Sequence, residues 1–314
     1  MSDLSPGAPT PTRSAAPDLV IVGAARSGTS FLAAQLSTHP RIDPGSVKEP
    51  NYYSRHLDRG DSWYDDQFGP RAPGVLRMDA SVSYTYPQFP DALSALAGTG
   101  NDPYVVYLVR DPVPRAVSHY LYYKHYFKQE HAETFGEALR NNPLYVGASD
   151  YEAWLRRLSS TFGTDRLLVV PFAAATKAAD AVAAQICSAL GLPPMPEPDP
   201  DAGDHQNNVV TFKHPALRFA SRKLRRSRFY PLVREKLGAG RLRRVRSLVT
   251  KNTALPSAAE VLAGIDAGQA EQMRALERRC DIAVRAALAE QDARLGLSWS
   301  AYWTTPDALP RAAA

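Results

Sequence analysis

The chain has 314 residues, of which 44% are hydrophobic and 22% are charged. These shares are typical of globular proteins and exclude a wholly disordered, collagenous or coiled-coil chain, and no apolar run approaches the length of a transmembrane helix. The net charge is +5, but 13 Lys and Arg residues against the single Glu235 lie between 213 and 246, so the basicity is regional. This basic segment could meet a polyanion or an anionic membrane surface, or form a solvated helix face.

Residues 1–17 contain four prolines and predict a disordered tail without the features of a targeting signal. Strand-like and helix-like runs alternate after it: strands at 18–24, 76–81, 104–110 and 166–171, and helices at 28–38, 90–98, 113–127 and 178–190. Such alternation predicts a parallel sheet with crossover helices. The expected fold is a three-layer α/β/α sandwich.

A proline-rich stretch near 192–200 predicts the end of a nucleotide-binding core at 18–192. The remainder, 193–314, is expected to be a helical and basic part of the same domain. Its last third contains an amphipathic stretch at 257–291, whose apolar residues recur at helical spacing. This stretch is predicted to pack back on the sheet.

The turn after the first strand has the composition of a phosphate-binding loop. Gly23 and Gly28 bracket it, and Thr29 and Ser30 begin the following helix. Such a loop needs inward backbone N–H groups, glycines that allow positive φ, and a helix N-terminus that favours negative charge. Arg26 adds a cation that can grip a phosphate-like group. The alternative is an ordinary tight turn capped by hydroxyl groups.

The loop differs from that of nucleoside triphosphatases at one position. Its place between a strand and a helix still predicts a P-loop NTPase-like fold. Thr29 stands where the pattern G-x-x-x-x-G-K-[ST] has its lysine. Asp79 and Asp111 are only imperfect candidates for the magnesium-binding Asp of such enzymes. A standard P-loop kinase is therefore disfavoured.

The segment AARSGTS at 24–30 resembles the 5′-phosphosulfate loop of sulfotransferases that use 3′-phosphoadenosine 5′-phosphosulfate (PAPS). The resemblance implies that this co-substrate is bound by Arg26, Ser27, Gly28, Thr29 and Ser30.

The segment YLVRDPVPRAVSHYLYY is similar to the 3′-phosphate segment of the same family, in which a strand ends in Arg and a helix carries Ser eight residues later. Arg110 and Ser118 match these two positions. An Arg at the carboxyl end of a strand lies where ligands bind to parallel sheets. Arg110 could otherwise pair with Asp111 or cap a helix.

The segment VKEPNYY at 47–53 resembles the K-E-[PV]-x-[FY]-[FY] pattern of heparan-type and bacterial carbohydrate sulfotransferases. The resemblance implies that Glu49 is the catalytic base. It also implies that Lys48 and Arg26 stabilise the departing phosphate without a metal. Apart from the family, a Lys-Glu pair before Pro is typical of a solvated turn.

Three further features leave alternatives open. The segment at 79–84 resembles another family element but lacks its frequent Lys and Pro, so the sequence leaves its role open. Sulfotransferases of small phenols use a histidine base, for which the candidates are His119, His125 and His205. A basic loop closes over the nucleotide in the family, and the candidates for it are Lys213 and Arg218.

These features together predict a sulfotransferase that moves the sulfuryl group of PAPS to a hydroxyl, in preference to an amine, of a glycan, lipid or secondary metabolite. The alternatives are a P-loop kinase and a non-catalytic nucleotide- or polyanion-binding protein. The expected partner is a small-molecule or glycan acceptor and not a nucleic acid, and 213–246 is the candidate segment for peripheral membrane contact. Two cysteines, too few for a disulfide framework, predict a cytoplasmic location.

Overall fold

A computed structural model describes residues 16–196, 210–212, 250–252 and 255–304. The central sheet has five parallel strands in the order β2-β3-β1-β4-β5. Their bounds are β1 Leu19–Gly23, β2 Ile42–Asp43, β3 Leu76–Asp79, β4 Tyr104–Val109 and β5 Leu167–Pro171. Every residue of β1, β4 and β5 is buried, as expected for strands covered on both faces.

Helices on both sides of the sheet complete the three-layer α/β/α architecture that the sequence predicts. The described α-helices are α1 Thr29–Leu36, α2 Gly60–Asp65, α3 Ala92–Ala97, α4 Pro112–Leu121, α5 Phe135–Asn141, α6 Leu144–Gly147, α7 Tyr151–Phe162, α8 Phe172–Lys177, α9 Ala179–Ala189, α10 Ala258–Leu262 and α11 Ala267–Leu295. Helices α1, α8 and α9 contact one another, and α4 and α7 both contact α11. The P-loop-like fold class is confirmed.

Shorter turns connect these elements around the sheet. Two are π-helical, Tyr52–His56 and Tyr122–Phe127, and four are 3₁₀ turns, Leu57–Arg59, Val82–Thr85, Thr164–Arg166 and Trp299–Tyr302. A separate antiparallel pair joins β6, Val210–Phe212, to β7, Thr250–Asn252.

The amphipathic stretch at 257–291 differs from the prediction because it forms two helices, α10 and α11. Each begins with its own capping box, formed by Ser257 with Glu260 and by Asp266 with Gln269. A side-chain cap satisfies the first N–H groups of a helix, so a second capping box inside the stretch starts a new helix. The apolar periodicity alone did not reveal this break.

Helix α11 packs on the edge strand β5 through an amide side chain. Gln291 Nε2 donates to the Val169 carbonyl oxygen at 2.9 Å, and the Val169 N–H donates to Gln291 Oε1 at 2.7 Å. The amide therefore pairs with the backbone as a neighbouring strand would, which protects the sheet edge.

The division into a tail at 1–17, a core at 18–192 and a C-terminal part at 193–314 stays a prediction. The basic segment at 213–246 lies outside the described residues, as does most of the tail. Within the described ranges, no helix is both long and apolar enough to span a membrane.

Candidate functional site

The turn between β1 and α1 has the backbone geometry of an anion-binding loop. Gly23, Arg26 and Gly28 have positive φ values of 151°, 70° and 92°. Helix α1 begins at Thr29, which is buried, and Ser30, which is exposed, and no side chain caps this first turn. The N–H groups at its start and the helix dipole therefore suit a negatively charged group.

Gly23 has no room for the methyl group of an alanine side chain. A Cβ atom there would overlap the hydroxyl oxygen of Thr85, which donates to the Val22 carbonyl at 2.9 Å. We expect Gly23→Ala to lower the free energy of unfolding by about 2–4 kcal/mol through backbone strain and overpacking. Urea denaturation measures the loss.

The matched control for this substitution is Gly163→Ala. Gly163 also has a positive φ, of 80°, but no atom lies within 4 Å of its Cβ position. We expect this variant to lose only about 1 kcal/mol from backbone strain. Equal losses in Gly23→Ala and Gly163→Ala would show that the overlap with Thr85 does not matter.

Arg26, Arg110 and Ser118 meet beside the loop. Arg26 Nε donates to Ser118 Oγ at 3.2 Å, and Arg110 Nη1 donates to the Arg26 carbonyl oxygen at 3.1 Å. The guanidinium groups lie over aromatic rings, 4.1 Å from the centre of Tyr122 for Arg26 and 4.8 Å from that of Phe172 for Arg110. The two segments predicted to bind phosphate therefore share one site, next to the fully buried Ser27.

Burial makes this group of cations costly without an anion. Loss of solvent lowers the pKa of Arg26, and the charges of Arg110 and Arg115 lower it further. Within the described part of the chain, none of these three arginines forms an ion pair. Because an unpaired buried cation is unfavourable, the site is suited to an anionic ligand.

Arg115 is a fully buried arginine that the sequence analysis missed. Its Nε donates to Ser149 Oγ at 2.7 Å, and its Nη2 donates to the Tyr145 carbonyl at 2.7 Å. Its Nη1 donates to the Ala25 carbonyl at 3.2 Å, which ties α4 to the glycine loop. The sequence held one sign that Arg115 lies near the site, because Arg115 lies one helical turn before Ser118 on the same helix.

The Lys48–Glu49 pair lies in the loop between β2 and the π-helical turn at Tyr52–His56. Lys48 Nζ is 2.5 Å from Glu49 Oε1, and the two side chains are 36% and 37% exposed. Burial chiefly raises the pKa of Tyr122 to about 12, and the Glu49 charge also contributes. Glu49 and the Tyr122 ring, on which Arg26 stacks, both line one cavity.

Asp79 anchors this loop from the buried end of β3. Its carboxylate accepts hydrogen bonds from Ser81 Oγ at 2.6 Å and from the hydroxyls of Tyr64 and Tyr84 at 2.7 Å. Burial raises the pKa of Asp79, while these three hydrogen bonds lower it. Ser81 Oγ in turn accepts the Asn51 N–H at 2.9 Å. The element at 79–84, whose role the sequence left open, thus supports the loop that carries Glu49.

Asn51 connects this support to Glu49 itself. Its Nδ2 donates to the Glu49 carbonyl at 2.7 Å, and its Oδ1 accepts from Ser83 Oγ at 2.6 Å. Its φ is 53°, a conformation that Asn and Gly tolerate. We expect Asn51→Gly to lower kcat about tenfold with a smaller effect on KM, because it keeps the backbone conformation but frees Glu49. Steady-state kinetics measures both constants.

The control for Asn51→Gly is Ser54→Ala. Ser54 Oγ contacts Ser83 Oγ at 2.6 Å and the Asn51 carbonyl at 3.3 Å, but it makes no hydrogen bond to Glu49. We expect its kcat to stay near that of the unmodified chain. An equal loss of kcat in both variants would assign the effect to the hydrogen bonds of Ser54 and Ser83 rather than to the position of Glu49.

A cavity of about 270 Å³ opens beside the glycine loop. Arg26, Thr29 and Ser30 line it together with Glu49. The predicted site residues that do not line it are Lys48, Ser27, Gly28, Arg110 and Ser118. An anion-binding loop and a carboxylate therefore face one space, as proton removal beside a transferring group requires.

The histidines fit the role of base less well. His119 lines the cavity, but its Nδ1 is 3.1 Å from Arg115 Nη1 and its Nε2 is 3.4 Å from the Tyr86 hydroxyl. Arginine only donates, so Nδ1 accepts and the ring proton lies on Nε2. Burial, with the Arg115 charge, lowers the pKa of His119, so the neutral ring has no free lone pair. His125 does not line the cavity, and His205 lies outside the described residues.

The candidates for a loop that closes over the nucleotide, Lys213 and Arg218, also lie outside the described residues. Their predicted role stays a prediction.

Residues 51–197 match the model of the sulfotransferase family. Human heparan sulfate glucosamine 3-O-sulfotransferase 3B1 is 31% identical over 104 residues, which are 33% of this chain and 26% of that protein. Mouse heparan sulfate glucosamine 3-O-sulfotransferase 6 is 34% identical over 120 residues, which are 37% of this chain and 34% of that protein. The chain thus spans about a quarter to a third of the length of these curated relatives.

A solved sulfotransferase from Alicyclobacillus acidocaldarius superposes with a TM-score of 0.51 at 24% identity, over 65% of this chain and 89% of that one. This likeness agrees with the observed α/β fold. The match to the family model confirms the resemblance to sulfotransferases predicted from the motifs. That match begins at Asn51, so the glycine loop and Glu49 precede it.

Proposed function

We propose that the chain is a sulfotransferase that moves a sulfuryl group from PAPS to a hydroxyl of a small molecule or glycan. One observation carries the proposal: Arg26, Thr29 and Ser30 of the anion-binding loop line the same cavity as Glu49. The match of residues 51–197 to the sulfotransferase family supports it.

The described residues fit an anionic nucleotide donor. The uncapped first turn of α1 with Thr29 and Ser30 would hold the 5′-phosphosulfate. Arg110 and Ser118, which meet beside Arg26, would hold the 3′-phosphate. The half-buried Arg26 and Arg110 offer charge to these groups, and neither has a competing ion pair among the described residues.

In the proposed reaction Glu49 accepts the proton of the acceptor hydroxyl as the acceptor oxygen forms a bond to sulfur. The bond between sulfur and the bridging phosphate oxygen breaks, and its electron pair stays on that oxygen. Arg26 and Lys48 offset this growing negative charge. In this mechanism, side chains accept the proton, and side chains together with backbone N–H groups of the loop stabilise the negative charge.

The test is transfer of labelled sulfur from PAPS to a panel of hydroxylated acceptors by the full chain. Thermal shifts with 3′-phosphoadenosine 5′-phosphate, with ATP plus magnesium, and with a nucleic-acid oligomer separate the alternatives. Stabilisation by the first ligand together with transfer supports the proposal. Stabilisation by ATP with phosphoryl transfer would favour a kinase, and stabilisation by the oligomer alone would favour a binding protein.

We also infer a cytoplasmic location, which the two buried, free cysteines support. A relative from Dictyostelium discoideum, 30% identical over 105 residues, is named membrane-associated sulfotransferase kil1. The test of the cytoplasmic location is cell fractionation, in which the chain should stay in the soluble fraction. Recovery in the membrane fraction with release by high salt would instead favour peripheral contact through the basic segment at 213–246.

A further inference from the structure

Aromatic side chains from two segments form much of the remaining cavity lining. Tyr86 belongs to one segment, and Tyr122, Tyr123 and Phe127 belong to the π-helical turn after α4. Phe127 is 41% exposed although it is large and apolar. Exposed aromatic groups at a cavity are typical of ligand-binding surfaces, and their faces suit a flat ring. The cavity therefore offers a surface for an aromatic part of the acceptor.

Arg55 adds a cation to this lining. Its guanidinium lies 4.6 Å from the centre of the Phe89 ring, which restricts its orientation. Among the residues that the structure describes, Arg55 forms no ion pair. Burial raises the pKa of Tyr123, and the Arg55 charge partly opposes that rise, so Arg55 acts on the aromatic surface itself. A planar guanidinium in this position matches a carboxylate.

The size and charge of the cavity indicate a small acceptor. Its volume of about 270 Å³ lies just below the usual range for small-molecule sites, about 300–1,000 Å³. Arg26 and Arg55 are the only Lys or Arg side chains among its described lining residues, and Arg26 already serves the anion-binding loop. Arg55 is thus the cation that these residues leave for an acceptor, and its guanidinium suits one acidic group.

We propose that the acceptor is a small hydroxylated aromatic acid. Its ring packs against Tyr123 and Phe127, its carboxylate pairs with Arg55, and its hydroxyl faces Glu49. This proposal rests on the sulfuryl transfer proposed above, because it names the acceptor of that same cavity.

The experiment compares three hydroxyaryl acids with their neutral amides as acceptors of sulfur from PAPS. The acids are 4-hydroxybenzoate, 4-hydroxyphenylacetate and 3-(4-hydroxyphenyl)propanoate, which place the carboxylate at three distances from the hydroxyl. A heparan sulfate oligosaccharide is the polymeric acceptor. We expect kcat/KM for at least one acid to exceed that of its amide by about tenfold or more, the effect of one charge-assisted hydrogen bond.

The matched variants are Arg55→Gln and Arg59→Gln. Arg59 also lies over an aromatic ring, 4.9 Å from Trp63, but it does not line the cavity. We expect Arg55→Gln to abolish the preference for the acid over the amide. Arg59→Gln should keep it.

The outcomes separate this proposal from the proposed function. If none of the acids is preferred to its amide, the proposal is overturned, whether or not the oligosaccharide is sulfated. If the preference survives in Arg55→Gln, the assignment of Arg55 is also overturned. Failure of 3′-phosphoadenosine 5′-phosphate to stabilise the chain, with no transfer to any acceptor, would instead overturn the sulfotransferase function itself.

Discussion

Glu49→Gln is expected to lower kcat about 10²- to 10⁴-fold, which is the contribution of a positioned general base. Glutamine keeps the shape and the hydrogen-bonding capacity of the side chain at the cavity but cannot accept the proton. The pair with Lys48 is about one-third exposed on both sides, so solvent compensates for much of its loss and the fold should persist. Affinity for 3′-phosphoadenosine 5′-phosphate, measured by calorimetry, should stay within a few-fold of the unmodified chain.

The control for this substitution is Asp58→Asn, which neutralises a nearby exposed carboxylate that does not line the cavity. Its kcat should be unchanged. His119→Asn and His125→Ala test the other candidate bases. If Glu49→Gln keeps more than about a tenth of the activity while either histidine variant is inactive, the assignment of Glu49 is wrong.

The sheet could be predicted from the sequence because its strands are continuous apolar runs. The runs at 18–24, 104–110 and 166–171 agree with β1, β4 and β5 to within one residue at each end. Strands buried on both faces need no alternation of polar residues, and flanking turns mark their ends. Strand β2, Ile42–Asp43, was missed because two residues show no periodicity.

The supports of the site could not be predicted, because they join residues far apart in the chain. The Asn51–Ser81 hydrogen bond links a loop to the end of β3, and the Arg26–Ser118 hydrogen bond spans 92 positions. Arg115 lies one helical turn before Ser118, which hints at a shared site, but only the folded chain shows that it is buried. Such contacts depend on which elements the sheet places side by side.

The predicted helix at 113–127 also differs from the structure in a way that affects the site. Helix α4 ends at Leu121, and a π-helical turn continues over Tyr122–Phe127. Turns of this kind recur at functional sites. Here the turn contributes Tyr122, Tyr123 and Phe127 to the cavity lining. The spacing of apolar and polar residues in the sequence did not distinguish this π-helical turn from a continuation of the α-helix.

Arg110→Ala is expected to weaken binding of 3′-phosphoadenosine 5′-phosphate by about 1.5–3 kcal/mol, which is roughly 10- to 150-fold. Arg110 is half-buried, and this burial lowers its pKa, so the 3′-phosphate would compensate a partly desolvated charge. Ser118→Ala should have a smaller effect in the same direction. Ser118 Oγ already accepts the Arg26 Nε–H, and its own O–H remains available to donate to the phosphate. Calorimetry measures both losses.

The comparison ligand for these variants is adenosine 5′-phosphosulfate, which lacks the 3′-phosphate. Its affinity should be nearly unchanged in Arg110→Ala, since the lost guanidinium would have no phosphate to bind. Arg166→Ala is the matched control, because Arg166 pairs with Asp102 at 2.6 Å on the surface and neither residue lines the cavity. Arg110 Nη1 also holds the Arg26 carbonyl. Equal weakening of both nucleotides would therefore mean that Arg110 acts by shaping the glycine loop and not by binding the 3′-phosphate.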